Sequence, residues 1–327
     1  MTLLQQAQRT IADMLSELCG RRVSPDELSP ITAGASGRIL LRGAGRLGIY
    51  WTGERADNNS FLPAAHGLAR AGVPVPAVLA ERSLPDACGA CIVTDLGPCE
   101  LVRLRDADWP TRRDAWLAAF RTLHRLDALR PDWPLQPPFD TELYRWEQSY
   151  FAEHLLARHL GADARAFLKS APLRLMAERL SALPRVPVHR DCQSPNIMIR
   201  DGVAWLVDFQ GMRMGRREYD LASLLFDAHM PMQPDERREL LRAWEGISGQ
   251  PVDIEIFAAC ALQRIMQALG AYANIGYNQG KPSYLRLIPI GLRHLREAVA
   301  LIPPASPTAS VIPCLPAAIT AGPACSC

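Results

Sequence analysis

The spacing of apolar residues changes along the chain from a mixed pattern in the first third to a helical one afterwards. Over residues 1–20 apolar side chains recur at helical spacing and the run stops at Gly20. Residues 28–51 form short apolar runs separated by glycine turns, and a further run follows at 91–97. Later segments return to helical spacing, at 108–129, 140–160, 235–244, 253–273 and 284–301. The pattern predicts an α+β protein with its sheet near the N-terminus and a mainly helical C-terminal part.

One stretch inside the helical part departs from this pattern and carries chemistry. The chain reads H-R-D at 189–191, with Asn196 five residues after the aspartate. An Asp-Gly turn at 201–202 joins two apolar runs, which is a strong hairpin signal, and Asp208 follows the second run. A kinase-type phosphotransferase uses such a loop carboxylate to hold the acceptor hydroxyl, and the amide and second carboxylate to hold Mg²⁺. We therefore predict that Asp191 is catalytic and that Asn196 and Asp208 are metal ligands.

Two other segments are candidates for binding the nucleotide. The first is a glycine turn at 34–37, whose backbone N–H groups can cradle phosphates while Ser36 adds a hydroxyl. The second is the end of the apolar run at 91–97, where a two-lobed kinase has its hinge and bonds a purine through the backbone. The predicted cofactor is ATP or GTP with Mg²⁺. The predicted nucleotide-binding residues are Gly34, Ala35, Ser36, Gly37, Thr94, Asp95 and Leu96.

The acceptor site and the support of the catalytic loop are predicted from single residues. Glu147 and Tyr150 belong to an aromatic stripe in the helix at 140–160, which is either core or a sugar-stacking face with a nearby acceptor. Arg213 is a candidate partner for a negatively charged acceptor, or a solvated side chain. His189 and Asp220 are predicted to hold the catalytic loop, with Asp220 accepting its backbone N–H groups.

Composition limits the class of protein. The 327 residues include 36 basic and 34 acidic ones, so a nucleic acid or a membrane surface is not expected as a partner. The nine cysteines lack the spacing of a disulfide scaffold, and no signal peptide or membrane-spanning run is recognised. We expect a cytoplasmic monomer acting on a small molecule. The Pro- and Ala-rich segment 303–327 is predicted to be a disordered tail.

On these motifs the chain resembles the aminoglycoside phosphotransferase-like superfamily of the kinase-like fold, and within it the bacterial cell-wall amino-sugar kinases. The resemblance covers residues 5–300 and rests mainly on segments 73–76, 94–97, 189–198, 207–213 and 219–225. It implies a small antiparallel-sheet lobe over 1–97 and a larger, mainly α-helical lobe over 98–302. It also implies transfer of the γ-phosphate of ATP to the anomeric hydroxyl of N-acetylmuramate or N-acetylglucosamine, in peptidoglycan recycling.

One departure from the kinase pattern is visible. Kinases of this fold place a lysine on the third strand, yet both lysines of this chain come after residue 160. Arg38, Arg42 or Arg46 would have to supply the charge, with Glu54 or Asp57 as the partner acid. Two alternatives stay open: an aminoglycoside or choline-like kinase, and a nucleotide-binding pseudokinase scaffold.

Overall fold

The computed structural model describes residues 2–31, 37–316 and 319. Within this range the chain forms two lobes, as predicted: a small lobe built on one antiparallel sheet and a larger lobe built mainly from helices. Of the predicted glycine turn, Gly34, Ala35 and Ser36 lie outside the described residues, whereas Gly37 is described and adopts a left-handed conformation with φ of +70°.

The small lobe packs two helices on a five-stranded sheet. Helix α1 begins with a capping box between Thr2 and Gln5 and ends at Gly20, which is in the left-handed conformation. The strands run antiparallel to their neighbours in the order β1-β2-β3-β5-β4. The elements are α1 (Leu3–Cys19), β1 (Ser29–Ile31), β2 (Ile39–Gly43), β3 (Arg46–Trp51), α2 (Phe61–Arg70), β4 (Val78–Ser83) and β5 (Gly89–Thr94).

The large lobe is organised around a long central helix. This helix, α9, packs against α4, α7 and α10. The elements are α3 (Trp109–Asp127), α4 (Thr141–Phe151) with a π-helical continuation (Ala152–His159), α5 (Arg165–Leu168), α6 (Ala171–Ala182), β6 (Val186–Val188), β7 (Ile197–Arg200), β8 (Val203–Leu206), β9 (Arg213–Gly215), α7 (Arg217–Leu225), α8 (Pro234–Ser248), α9 (Ile254–Asn278) and α10 (Ile288–Ala300).

Helix α9 is long and apolar enough to cross a membrane by length and composition alone, although the sequence analysis recognised no such run. In the structure 72% of its most apolar window is buried inside the lobe. That degree of burial is what a core helix requires, because its apolar faces contact other helices on several sides.

Two antiparallel strand pairs frame the catalytic stretch. The predicted hairpin is present as β7 and β8, with Asp201 and Gly202 at its turn, both in the left-handed conformation. Strands β6 and β9 pair on either side of it. The loop that contains Asp191 therefore leaves β6 and returns through the hairpin to Asp208, which brings the two carboxylates to the same cleft.

The structure differs from the predicted disordered tail over residues 303–316. Pro307–Cys314 forms a 3₁₀ helix that packs against α6, with Thr308 and Val311 buried. The Thr308 hydroxyl donates to the Glu255 carboxylate at the start of α9. The Pro- and Ala-rich composition suggested disorder, but two buried side chains and this hydrogen bond hold the segment to the lobe.

Candidate active site

A cavity of about 410 Å³ lies between the lobes and is lined by both predicted metal ligands and by three of the seven predicted nucleotide-binding residues, while Gly37 is not in its lining. Its first wall comes from β2, β3 and β5 of the small lobe, and its floor from the catalytic loop and the segment after β8. Its second wall is α9 with the following 3₁₀ segment, Pro282–Leu287. The cavity contains Asp191, Asn196 and Asp208 together, as a shared site for phosphate transfer requires.

The catalytic loop is held from below by a buried carboxylate at the start of α7. Asp220 Oδ2 accepts the backbone N–H of His189 at 2.6 Å, and Oδ1 accepts that of Arg190 at 2.9 Å. Burial raises the pKa of Asp220 to about 7, although the two backbone hydrogen bonds act in the opposite direction. The His189 ring bonds the carbonyl of Val207 at 2.9 Å. The structure thus places His189 and Asp220 where they fix the loop rather than where they would meet a substrate.

Asp191 presents only one side of its carboxylate to the cavity. Its Oδ1 accepts Nη2 of Arg264 at 2.9 Å and also the side-chain amide of Gln193. Burial alone would raise the pKa of Asp191, but Arg264, Arg190 and Gln193 outweigh it and keep the pKa below the ordinary value. The side chain remains 32% exposed, which leaves Oδ2 for an acceptor hydroxyl.

The two predicted metal ligands lie on either side of the floor. Asn196 donates its Nδ2 to the carbonyl of Asp191 at 2.9 Å, so its Oδ1 is the atom left to bind a cation. Asp208 adopts a left-handed conformation with φ of +64°, an unusual geometry for a residue other than glycine. Its Oδ1 accepts the guanidinium of Arg38 and, at 3.2 Å, the amide of Gln210.

This donor set fits Mg²⁺ that is shared with a nucleotide. A carboxylate and an amide oxygen are hard ligands, and Mg²⁺ is commonly held by one or two protein oxygens plus substrate phosphates. Across the described part of the chain no cluster of three His, Cys, Asp or Glu side chains is found that would hold a metal alone.

The small-lobe wall places arginines in the cavity, where kinases of this fold have a lysine on the third strand. On β3, Leu47 and Ile49 line the cavity, while Gly48 faces α1, where an added Cβ would lie 2.4 Å from the Ile11 side chain. On the neighbouring strand β2 and the residue before it, the cavity-lining positions are instead Arg38, Leu40 and Arg42, at a spacing of two.

Of the three candidate arginines, Arg38 lies nearest the metal ligands. Its side chain is 6% exposed and is paired with Asp208, and burial lowers its pKa to about 10. Arg42 pairs with Asp95 at 2.6 Å, and Arg46 donates to the carbonyl of Gly45 on the exposed turn. Arg38 therefore supplies the buried positive charge at the floor. Of the two candidate acids, Asp57 bonds Arg55 at 2.7 Å, and Glu54 is exposed.

The predicted hinge residues lie along the edge of the cavity. Thr94, Asp95 and Leu96 all line it, and Asp95 Oδ1 also accepts the backbone N–H of Gly97 at 2.9 Å. The Asp95 carboxylate is thereby fixed by Arg42 and by its own turn. This leaves the backbone of the segment, rather than its carboxylate, available to a ligand.

The three predicted acceptor-binding residues do not line the cavity, and this part of the prediction needs correction. Glu147 is fully buried and bonds the Tyr219 hydroxyl at 2.7 Å. The Tyr150 hydroxyl accepts from Asn274 at 2.8 Å. The Arg213 guanidinium lies over the Phe139 ring and donates to its own turn. Glu147 has both carboxylate oxygens engaged within the lobe, and Tyr150 and Arg213 each have one polar atom bonded there.

The second wall of the cavity was missed by the sequence analysis. It is a stripe on one face of α9, followed by Tyr284, and His229 completes it from the loop after α7. The Tyr272 ring lies 5.9 Å from His229 and 6.4 Å from Tyr284, centroid to centroid. The stripe consists of Arg264, Gln267, Ala268, Ala271, Tyr272 and Ile275. The available signal was three polar residues, at 263, 264 and 267, inside the otherwise apolar run 256–273.

Comparisons with known proteins agree with this geometry. The model of the family described as "Phosphotransferase enzyme family" matches residues 27–254. An N-acetylmuramate/N-acetylglucosamine kinase of Pseudomonas aeruginosa is 30% identical over 315 residues, which is 90% of each chain. A protein of the same name from Pseudomonas putida is 28% identical over 312 residues, 89% of each chain.

Solved structures share the fold at lower identity. A choline/ethanolamine kinase family protein from Mesorhizobium loti superposes with a TM-score of 0.64 at 15% identity, covering 98% of this chain and 100% of the other. The aminoglycoside phosphotransferase APH(3'')-Id of Streptomyces rimosus, in complex with ADP and streptomycin, gives 0.57 at 18% identity, with coverages of 79% and 98%. These two likenesses support the two-lobed kinase-like fold.

Proposed function

The chain belongs to the phosphotransferase enzyme family, and we propose that it moves the γ-phosphoryl group of ATP to the anomeric hydroxyl of an N-acetylated amino sugar. N-Acetylmuramate and N-acetylglucosamine are the acceptors that fit best. The names of the Pseudomonas relatives support this choice over nine-tenths of the chain. The family membership itself makes the chain an ATP-dependent small-molecule phosphotransferase.

The pairing of the cavity's carboxylates with arginines is the observation that favours an amino-sugar acceptor. Among the described residues, every carboxylate that lines the cavity is paired with an arginine of the same cavity. These pairs are Asp95–Arg42, Glu100–Arg103, Asp191–Arg264 and Asp208–Arg38. An aminoglycoside is a polycation and needs unpaired carboxylates near its ammonium groups. A neutral or singly anionic sugar needs none, so the cavity favours the amino-sugar acceptor.

The state of Asp191 suits an anomeric hydroxyl. A carboxylate whose pKa is held low is a weak base, and it orients a hydroxyl better than it deprotonates one. An anomeric hydroxyl is more acidic than an ordinary alcohol, so less basicity is required of its partner. Transfer of a phosphoryl group passes through a loose transition state in which positioning and charge neutralisation dominate. Asp191 Oδ2 would position the acceptor oxygen, and Arg38 would neutralise charge on the phosphates.

The nucleotide would lie against the small-lobe wall. Backbone groups of Thr94, Asp95 and Leu96 would bond the purine edge. The apolar side chains of Leu47 and Ile49 would contact its ring. Asp208 and Asn196 would hold Mg²⁺, which when bound offsets the charge of the phosphates.

A panel of acceptors tests the proposal. With ATP and Mg²⁺, we expect ADP formation in the presence of N-acetylmuramate and N-acetylglucosamine, and much less with choline or kanamycin. If the sugar product no longer reacts as a reducing sugar, and phosphatase treatment restores that reaction, the phosphate is on the anomeric oxygen. Faster turnover of choline would instead favour the second candidate, since His229, Tyr272 and Tyr284 offer ring faces to a quaternary ammonium. Nucleotide binding without turnover of any acceptor would favour a pseudokinase.

A further inference from the structure

The stripe on α9 contains a nearly buried amide whose donor is unused. Gln267 is 7% exposed and lines the cavity one turn after Arg264. Its Oε1 accepts Nη1 of Arg264. No hydrogen bond from its Nε2 is formed within the described residues, and the side chain lines the open cavity. This donor therefore faces the cavity, where the acceptor group of a ligand can take the place of water.

Arg264 fixes Gln267 and Asp191 relative to each other. All three of its guanidinium nitrogens are engaged: Nε donates to Ser223 Oγ at 2.9 Å, Nη1 to Gln267 Oε1, and Nη2 to Asp191 Oδ1 at 2.9 Å. One planar group thus holds an oxygen of each neighbour. What each neighbour has left is complementary: Asp191 has the acceptor Oδ2, and Gln267 has the donor Nε2. The cavity therefore offers an acceptor and a donor side by side.

We propose that Gln267 recognises the acetamido group of the acceptor sugar. Its Nε2–H would donate to the carbonyl oxygen of the acetamido group, whose nitrogen is bonded to the ring carbon next to the anomeric carbon. This inference rests on the proposed function. In a 2-acetamido sugar the anomeric hydroxyl and the acetamido nitrogen are on adjacent carbons, and the carbonyl is one bond beyond that nitrogen. This arrangement suits an acceptor and a donor that are held by the same guanidinium. A free 2-amino group is cationic and presents only donors, so it would face the Nε2 donor and the Arg264 charge unfavourably.

The surroundings of Gln267 fit the rest of an acetamido group. Ala268 and Ala271 line the cavity beside it, and Ala271 is one turn further along the same face. Their small apolar side chains leave room for the acetyl methyl group. Tyr272 and Tyr284 lie beyond them and offer faces to the sugar ring.

The test is the ratio of kcat/KM for N-acetylglucosamine to that for glucose, which lacks the acetamido group, in the full-length enzyme. Gln267→Glu keeps the side-chain shape and an oxygen for Arg264 but removes the donor. We expect the variant to lose roughly 10- to 100-fold more kcat/KM with N-acetylglucosamine than with glucose, as loss of one buried hydrogen bond predicts. Where glucose turns over too slowly to measure, its Ki as a competitive inhibitor replaces kcat/KM.

A second variant and a control make the result decisive. Gln267→Met removes both the donor and the bond to Arg264, and should lower the ratio to the same extent; its thermal midpoint reports whether it folds. Gln279→Glu adds the same charge at an exposed position just past α9 and should leave the ratio unchanged. If the ratio is unchanged in both Gln267 variants, including by an equal loss for both sugars, the inference about Gln267 is wrong. The proposed sugar-kinase activity would not be affected by that result. Failure of the wild-type enzyme on every sugar would overturn the proposed function as well.

Discussion

The two walls of the cavity hold the two floor carboxylates in the same way but from different kinds of backbone. The small-lobe wall reaches Asp208 through Arg38, which directly precedes the inner strand β2. The large-lobe wall reaches Asp191 through Arg264, from the middle of α9. Each carboxylate is therefore paired with a buried arginine from a different wall. Since Asp208 is a proposed metal ligand and Asp191 a proposed acceptor ligand, the two pairs divide the cavity into a donor half and an acceptor half.

The difference in backbone has consequences for what each wall can do. A strand presents every second side chain to the cavity, so charged and apolar residues alternate along β2 and the wall suits a nucleotide with both a ring and phosphates. A buried helix presents a narrow stripe backed by other helices, so α9 holds its polar groups rigidly. Rigid polar groups discriminate between similar acceptors, and we therefore place specificity for the sugar on α9.

The largest expected effect is at the carboxylate of the acceptor half. Asp191→Asn keeps Oδ1 as a partner for Arg264 but removes the negative charge that orients the hydroxyl. We expect kcat to fall about 10³-fold, within the range for loss of a general base. Nucleotide should still raise the thermal midpoint as it does in the wild type.

A matched control is Asp201→Asn at the exposed hairpin turn, where Asn tolerates the left-handed conformation. This control should retain wild-type turnover. Wild-type turnover in Asp191→Asn would show that Asp191 does not act in the reaction. Loss of nucleotide binding in the same variant would show that the nucleotide and acceptor sites are not independent.

A smaller effect is expected in the donor half. Arg38→Met removes the buried charge beside Asp208 and should raise KM for ATP about tenfold, because a charge-assisted contact to phosphate is lost. KM for the sugar should change little. Arg46→Met is the control, because Arg46 is the exposed first residue of β3. Steady-state kinetics with each substrate varied in turn measures the two KM values separately. An equal rise in the KM for ATP and the KM for the sugar would contradict the assignment of Arg38 to the nucleotide site.

The three polar residues of the cavity floor could be proposed from the sequence because they are close together along the chain. Asp191 and Asn196 are five residues apart, and Asp208 is separated from them by one hairpin that an Asp-Gly turn announces. The order of strands and helices followed in the same way from apolar spacing. Helix α6 and the docked 3₁₀ helix near the C-terminus did not, because their packing depends on contacts with distant segments.

The wall that α9 contributes depends on such distant contacts. Arg264 lies 73 residues from its partner Asp191, and its helix reads as core. Glu147 was assigned to the substrate because a carboxylate among aromatics suits a sugar. It is instead held by Tyr219 and Gln263, which are 72 and 116 residues away. A single helix does not show which of its faces meets a cavity, so residue type alone assigned the wrong carboxylate.

The smallest effect concerns the support of the acceptor half. His294 of α10 is fully buried and donates from Nδ1 to the carbonyl of Phe226 at 3.0 Å. Phe226 directly precedes Asp227, whose carboxylate accepts the backbone N–H of Ser194 in the catalytic loop at 2.7 Å. Burial, together with the charge of Arg237, lowers the pKa of His294 to about 4. The acceptor half is thus supported by an imidazole that must stay neutral, whereas His66 of the small lobe is exposed.

This arrangement predicts how stability depends on pH. Between pH about 6.5 and about 4 the unfolded chain binds a proton at His294 that the folded chain does not, so the free energy of unfolding falls as pH falls through this window. The pKa difference corresponds to about 3 kcal/mol at most. Urea unfolding at several pH values should show a smaller decline for His294→Gln, which keeps a donor but does not titrate. His66→Gln should follow the wild type. Identical declines in wild type and His294→Gln would mean that the His294 imidazole is not held neutral in the folded protein.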